Sequence, residues 1–250
     1  MTETKTGTKE APLAGRVALV TGAGKRIGRA VALHLAAEGA GVAVHHRKSE
    51  DEAREVVKTI RDAGGRAEAF AGELTSIEDI RRMVYEVGHE MGRLDILVNG
   101  AANFLPSSVI STTEKVWDDA LDTNLKAPFF VSQAAAQLLK RSRGVIINFA
   151  DTGGMLGWPG YIAHSISKAG VIMLTRTLAK AMAPEVRVNA IAPGTITMPG
   201  DPPEWEADFA KIAPLQHSGT PADIVAAVSY LVHAEFVTGQ VLVVDGGRVL

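Results

Sequence analysis

Short runs of apolar, often β-branched residues alternate along this chain with longer amphipathic segments, and this alternation constrains the fold more than any other feature. The short runs do not alternate apolar with polar residues, which is typical of parallel strands that helices cover on both faces. The pattern predicts seven strands, at residues 16–21, 41–45, 66–71, 94–98, 144–149, 186–191 and 240–244. It predicts helices between them, at residues 27–38, 51–63, 77–91, 114–139, 161–182 and 222–232.

The sequence therefore predicts an α/β fold, a single-domain Rossmann-type doubly wound parallel sheet with strand order 3-2-1-4-5-6-7. Within the 250 residues we find no internal repeat and no linker that would separate two domains. Residues 1–14 are interpreted as a flexible polar N-terminal tail, and residues 15–250 as one dinucleotide-binding oxidoreductase domain. Residues 198–220 are rich in proline and interrupt the pattern, which is typical of a substrate lid or binding loop, or else of a disordered segment.

Composition excludes several classes of protein. The net charge of −2 and the lack of a basic tract give no reason to expect nucleic-acid binding. No apolar run approaches the ~20 residues that span a bilayer, so no membrane association is expected. The chain contains no cysteine, which excludes disulfides and thiolate chemistry and fits a reducing, cytoplasmic location.

A glycine-rich turn, Thr21-Gly22-Ala23-Gly24-Lys25-Arg26-Ile27-Gly28, joins the first predicted strand to the first helix. Such a turn lets the backbone approach a pyrophosphate, and the helix N-terminus offers free N–H groups. A glycine-rich turn alone is weak support, but its position between strand and helix makes it specific. We predict that Gly22, Lys25, Arg26, Ile27 and Gly28 bind a dinucleotide.

The second strand ends in His45-His46-Arg47-Lys48-Ser49, without the carboxylate that usually binds the ribose of NAD. Arg47, Ser49 and His46 offer donors for a 2′-phosphate, and a guanidinium pairs with phosphate through two hydrogen bonds. The turn therefore favours NADPH/NADP as coenzyme over NADH. The alternative is a solvated basic turn without a ligand.

Further motifs, spread from about residue 15 to 247, resemble those of the short-chain dehydrogenase/reductase family. The glycine turn resembles the family's T-G-x-x-x-G-x-G loop, with Arg26 in place of the middle glycine. Asn124 lies where the family holds an active-site water through a helix kink. The resemblance implies that the coenzyme also contacts Glu73, Leu74, Asn99, Gly100, Ala101, Lys168, Pro193, Gly194, Thr195, Ile196 and Thr197.

The family's catalytic signature is Tyr-x-x-x-Lys with a serine thirteen residues before the tyrosine. Lys168 is present, but His164 stands at the tyrosine position and Asp151 at the serine position. We hypothesise that Asp151 and His164 form an acid pair while Lys168 holds the nicotinamide ribose, since imidazole titrates near neutrality. The alternatives are that Asp151 only caps a turn and that His164 is left in a site that no longer reacts.

The pteridine reductase branch of the family carries a similar T-G-A-x-K-R-x-G loop, a basic turn after the second strand, and an aspartate in place of the serine. The resemblance implies a flat, pterin-like substrate in contact with Arg26, Phe104 and Tyr161. Phe104 is equally compatible with a core position, and Tyr161 with packing beside the pocket. Trp205 and Phe209 are compatible with substrate contact or with lid packing.

The predicted function is NADPH-dependent hydride transfer to a small C=N or C=O substrate, with pterins favoured. A general carbonyl or 3-oxoacyl reductase is one alternative, and an NADPH-binding protein with impaired or no turnover is another. The family resemblance implies a homotetramer in which two long central helices pack between subunits. The other histidines show no metal-ligand spacing, so no metal is expected.

Overall fold

The computed structural model describes residues 11–250 and contains a seven-stranded, wholly parallel sheet. The strands are β1 Val17–Val20, β2 Gly41–His46, β3 Ala67–Ala71, β4 Ile96–Asn99, β5 Val145–Phe149, β6 Arg187–Pro193 and β7 Val241–Val244. Their order is β3-β2-β1-β4-β5-β6-β7, which confirms the prediction. The order in which the chain adds strands to the sheet reverses between β1 and β4, where Leu19 pairs with Leu97.

Helices cover both faces of the sheet. They are α1 Arg26–Ala37, α2 Glu50–Asp62, α3 Ile77–Met91, α4 Glu114–Leu121, α5 Ala127–Ser142, α6 Gly153–Leu156, α7 Ile162–Met182, α8 Pro203–Ala210 and α9 Pro221–His233. One core cluster joins α1, α2 and α9 to the sheet, and a second joins α3, α5 and α7. Because both faces are covered, all four residues of β1 are buried, which explains its uninterrupted apolar sequence.

The predicted helix at residues 114–139 is two helices joined by a π-helical turn, Asp122–Lys126. In this turn the N–H of Ala127 donates to the carbonyl of Asp122, five residues back. Such turns accommodate one extra residue within a helix and often mark functional sites. A 3.6-residue pattern continues through the turn, so periodicity alone gives no sign of the break.

Two predicted segments contain order that the sequence interpretation did not include. Leu13 is fully buried and its N–H donates to the carbonyl of Glu38, so the predicted tail is anchored at this residue, and residues 1–10 lie outside the described part. Residues 198–220 contain α8, where Pro203 opens the first turn. We read the prolines there as loop signals, although proline also favours the first turn of a helix.

No helix among residues 11–250 is long and apolar enough to cross a membrane.

Candidate active site

A cleft of about 1390 Å³ lies at the carboxyl ends of the strands, at the switch between β1 and β4 where doubly wound sheets bind ligands. Its lining includes the predicted coenzyme-binding residues Gly22, Lys25, Arg26, Ile27, Gly28, His46, Arg47, Ser49, Glu73, Leu74, Gly100, Ala101, Lys168, Pro193, Gly194, Thr195 and Ile196. It also includes Asp151 and His164 and the predicted substrate residues Phe104, Tyr161 and Trp205. Asn99, Asn124 and Thr197 do not line the cleft.

The glycine turn forms the floor of the cleft at the N-terminus of α1. Gly22 has a φ of 67°, and a Cβ on Gly28 would lie 2.2 Å from the carbonyl oxygen of Gly22. Only glycine satisfies both positions, because the first needs a left-handed backbone and the second has no space for a side chain. The turn therefore leaves bare backbone facing the cleft, as the approach of a pyrophosphate requires.

The strand end that follows β2 carries the residues predicted to select the coenzyme. His46 is buried and its Nδ1 has no hydrogen-bond partner within residues 11–250. The half-exposed Arg47 lies 3.4 Å from a carboxylate oxygen of Glu73, a distance too long for a strong ion pair. The weakly held guanidinium offers donors to a 2′-phosphate, and the imidazole nitrogen beside it is left without a partner.

His164 and Asp151 meet at the other end of the cleft. Nε2 of His164 lies 3.6 Å from Oδ2 of Asp151, and Nδ1 lies 3.3 Å from the carbonyl oxygen of Asn103. A carbonyl only accepts, so Nδ1 carries a proton and Nε2 is the nitrogen that faces Asp151. Nε2 is buried without a hydrogen-bond partner in the described residues, and it pairs with Asp151 only when protonated.

The two carboxylate oxygens of Asp151 have different neighbours. Its Oδ1 accepts from the backbone N–H of Gly153 at 2.7 Å, which fixes the start of α6, while Oδ2 faces His164. The alternative that Asp151 caps a turn is thus correct for one oxygen. The other oxygen, Oδ2, faces Nε2 of the imidazole.

Lys168 lies on α7, one helical turn after His164. It is buried, and its Nζ donates to the carbonyl of Phe149 at 2.7 Å. Burial lowers the pKa of Lys168 to about 8, and the nearby carboxylate of Asp151 opposes that shift.

Comparison with known proteins identifies the family. The profile of a family described as enoyl-(acyl carrier protein) reductase matches residues 22–248. The chain is 37% identical over 239 residues to the 3-oxoacyl-[acyl-carrier-protein] reductase FabG of Staphylococcus epidermidis, covering 92% of this chain and 97% of that protein. It belongs to the short-chain dehydrogenase/reductase family.

Two further similarities extend this result. The short-chain dehydrogenase/reductase is 36% identical over 248 residues to 3beta-hydroxysteroid dehydrogenase 1 of Eggerthella lenta, covering 95% of each chain. The blue fluorescent protein from a metagenomic library, whose crystal structure contains NADPH, matches with a TM-score of 0.90 at 30% identity, covering 96% of this chain and all of that one. The predicted oxidoreductase class is confirmed, and an NADPH complex supports the coenzyme prediction. These relatives give no support to the pteridine reductase branch.

Arg26 replaces a glycine of the family loop and keeps a glycine-like backbone, with a φ of 48°. Its guanidinium donates to both carboxylate oxygens of Asp201, at 2.8 and 2.9 Å. The side chain therefore links the phosphate loop to the segment that contains α8.

Three predicted site residues lie outside the cleft because their side chains have partners elsewhere. Asn99 donates to Asn148 Oδ1 at 2.8 Å, and the hydroxyl of Thr197 pairs with that of Ser218 at 2.9 Å. The amide of Asn124 contacts both backbone groups of Asn103 at 2.8 and 3.1 Å, and it donates to Ser167. Asn124 thus positions Asn103, whose carbonyl holds His164, and contacts neither His164 nor Lys168.

Aromatic rings enclose the imidazole. Phe104 stacks on Tyr161, with centroids 4.2 Å apart and planes at 13°, and its edge meets His164 at 4.8 Å. The indole of Trp158 stacks parallel to His164 at 6.1 Å. Phe104 is 53% exposed, so it belongs to the cleft and not to the core.

The two aromatic residues of the predicted lid, Trp205 and Phe209, differ in their exposure. Both lie on α8, but Trp205 is 50% exposed and lines the cleft, whereas the side chain of Phe209 is buried. Our sequence reasoning missed Trp158, because an aromatic residue in a Gly-Pro-rich loop resembles loop packing. It also missed Asn103, which contributes backbone groups that carry no residue-specific signal.

Proposed function

We propose that this short-chain dehydrogenase/reductase uses NADPH to reduce the carbonyl group of a small substrate to an alcohol. The observation that carries the proposal is the position of the His164 imidazole, which faces Asp151 at 3.6 Å. Both residues line the same cleft as the glycine turn. The relatives named above act on 3-oxoacyl and hydroxysteroid substrates, which favours a carbonyl over the imine of a pterin.

In this proposal the backbone between Gly22 and Gly28 holds the pyrophosphate, Arg47 and His46 hold the 2′-phosphate, and Lys168 holds the nicotinamide ribose. NADPH supplies a hydride when it is bound. The fit is supported by the glycine cradle and by the unpartnered Nδ1 of His46. An NADPH complex of a structural relative agrees with it.

His164 supplies the proton. Its Nδ1–H is held by the carbonyl of Asn103, so the imidazolium carries its second proton on Nε2, in the cleft. Donation of that proton to the carbonyl oxygen as hydride reaches the carbonyl carbon yields the alcohol and the neutral imidazole. Asp151 stabilises the imidazolium before transfer and holds the ring in place. His164 thereby takes the part that the tyrosine of the family signature plays.

A pterin-like substrate is the second candidate. The stacked pair of Phe104 and Tyr161 favours it, because two parallel rings beside the acid form a surface on which a flat heterocycle packs. Hydride would then reach a C=N carbon and the proton a ring nitrogen.

The test is NADPH oxidation, followed by absorbance, with purified protein and a panel of 3-oxo esters, ketones and dihydropterins. The proposal predicts oxidation with at least one carbonyl compound and an equimolar alcohol product. Faster oxidation with dihydropterins would favour the second candidate. NADPH binding without oxidation by any compound would contradict both and leave a coenzyme-binding protein without turnover.

We also propose a homotetramer in the cytoplasm. Trp117 on α4 and Ile166 and Met173 on α7 are large apolar residues that are 37%, 43% and 58% exposed, and a subunit interface would cover such residues. Light scattering coupled to gel filtration should give four times the 26.4 kDa chain mass. A monomer would contradict the assembly.

A further inference from the structure

An arginine at the C-terminal end of the chain lies next to the substrate end of the cleft. The guanidinium carbon of Arg248 is 5.0 Å from the ring centroid of Trp158 and 5.7 Å from that of Phe209. Trp158 lines the cleft and stacks on His164, so its indole ring neighbours both the guanidinium and the proposed acid.

Arg248 has no counterion within residues 11–250. No carboxylate of this region lies within ion-pair distance of it, and its side chain makes no hydrogen bond there. The neighbouring carboxylate of Asp245 is occupied, because it accepts from the N–H groups of Gly247 and Val249 at 2.8 and 2.9 Å. Arg248 is nevertheless partly buried, where an unpaired charge is costly.

The way in which the guanidinium is held determines what it can bind. Aromatic contacts use the faces of the planar group, whereas its N–H donors point outward in the plane. Those in-plane donors match the two oxygens of a carboxylate. Trp158 and Phe209 thus contact the group through their rings, and none of its N–H donors is used in a hydrogen bond within residues 11–250.

We propose that Arg248 binds the carboxylate of the substrate, and that the natural substrates are small oxo acids. The substrate places its carbonyl at His164 and extends past Trp158, so that its carboxylate meets the guanidinium. This inference rests on the proposed carbonyl reductase function and specifies its substrate class.

The test compares an oxo acid with its own ester, which differs mainly in charge. With NADPH, the wild type should reduce 4-oxopentanoate or 5-oxohexanoate with at least 10-fold higher kcat/KM than the matching methyl ester. Arg248→Gln should lower kcat/KM for the acid about 10- to 100-fold, mainly through KM, and change that for the ester less than twofold. Arg248→Lys should recover part of the loss, since it keeps the charge but not the fork of donors.

Arg54→Gln is the matched control. Arg54 is an exposed arginine on α2 that pairs with Glu50, so this variant has the same change in net charge away from the cleft. It should keep the preference for the acid. An equal loss for acid and ester in Arg248→Gln would overturn the proposal, since that result indicates a packing role.

A binding measurement distinguishes failure of this inference from failure of the proposed function. Tryptophan fluorescence of the NADPH complex should report saturable binding of 4-oxopentanoate to the wild type, weakened about 10-fold or more in Arg248→Gln. Binding that depends on Arg248 without turnover would support the anion site and contradict the reductase function. Turnover of carbonyl compounds with no preference for acids would support the function and overturn the anion site.

Discussion

The backbone N–H of Gly22 donates to Nδ1 of His45 at 3.0 Å, which ties the phosphate loop to the end of β2. On its other side, Nε2 of His45 lies 3.1 Å from the carbonyl oxygen of Gly72 and donates to it. Both ring nitrogens are thus engaged in the neutral form. Burial lowers the pKa of His45 to about 4, although the hydrogen bond to Gly72 opposes this.

This arrangement makes stability depend on pH. The folded protein keeps His45 neutral down to about pH 4, whereas the unfolded chain protonates it below about pH 6.5. Lowering the pH from 6.5 to 4 therefore favours unfolding, by about 3 kcal/mol from this residue. Chemical denaturation should show that the free energy of unfolding falls by about 3 kcal/mol more in the wild type than in His45→Asn over this pH range. The asparagine side chain keeps an acceptor but does not titrate. Parallel pH profiles for the two proteins would contradict the role of His45.

Arg26 and Asp201 connect the phosphate loop to the segment over the cleft, so breaking the pair should loosen residues 198–220. Hydrogen exchange there should be faster in both Arg26→Gly and Asp201→Asn. The two variants differ in strain, because glycine relieves the left-handed backbone of Arg26, which costs a non-glycine residue about 1–2 kcal/mol. Arg26→Gly should therefore be the more stable variant in urea. Unchanged exchange in both would show that the pair does not hold the segment.

Arg47 should select the phosphorylated coenzyme. Arg47→Ala is expected to weaken NADPH binding about 10- to 100-fold, because a charge-assisted hydrogen bond to phosphate is lost, and to leave NADH binding within twofold. Fluorescence titration measures both. Arg54→Ala, which removes an exposed arginine of α2, serves as control and should bind both coenzymes like the wild type. Equal weakening for the two coenzymes in Arg47→Ala would indicate structural damage.

His164 and Asp151 should act on turnover and not on coenzyme affinity. His164→Ala should lower kcat about 100-fold or more, the usual contribution of a general acid, with NADPH affinity unchanged. Asp151→Asn should lower kcat by less, since the acid is still present. His164→Tyr should be more active than His164→Ala, because it restores the acid of the family signature. His89→Ala, on the outside of α3, is the control. Unchanged turnover in both His164→Ala and Asp151→Asn would end the acid-pair hypothesis.

The sequence predicted the sheet well, because strands buried on both faces leave uninterrupted apolar runs, and all seven lie within two residues of their predicted ends. The phosphate loop was equally predictable, since its glycines are required by backbone conformation and by space. The pairing of His164 with Asp151 was inferred from the family's spacing, and the structure places the two side chains 3.6 Å apart.

Other features depend on contacts between distant residues, which a single sequence does not reveal. Arg26 meets Asp201 across 175 positions, and His45 contacts Gly22 from the next strand. Arg248 reaches Trp158 only because β7 returns beside β6. The helix kink expected at Asn124 by resemblance lies in the π-helical turn Asp122–Lys126, but the contact of its side chain with Asn103 had no sequence signal.

A titration of the wild-type protein with NADPH and NADH tests whether the cleft binds NADPH through the glycine turn and Arg47. We expect saturable binding of NADPH, at least 10-fold tighter than binding of NADH. Tighter binding of NADH would contradict the role of Arg47. No binding of either coenzyme would contradict the whole account.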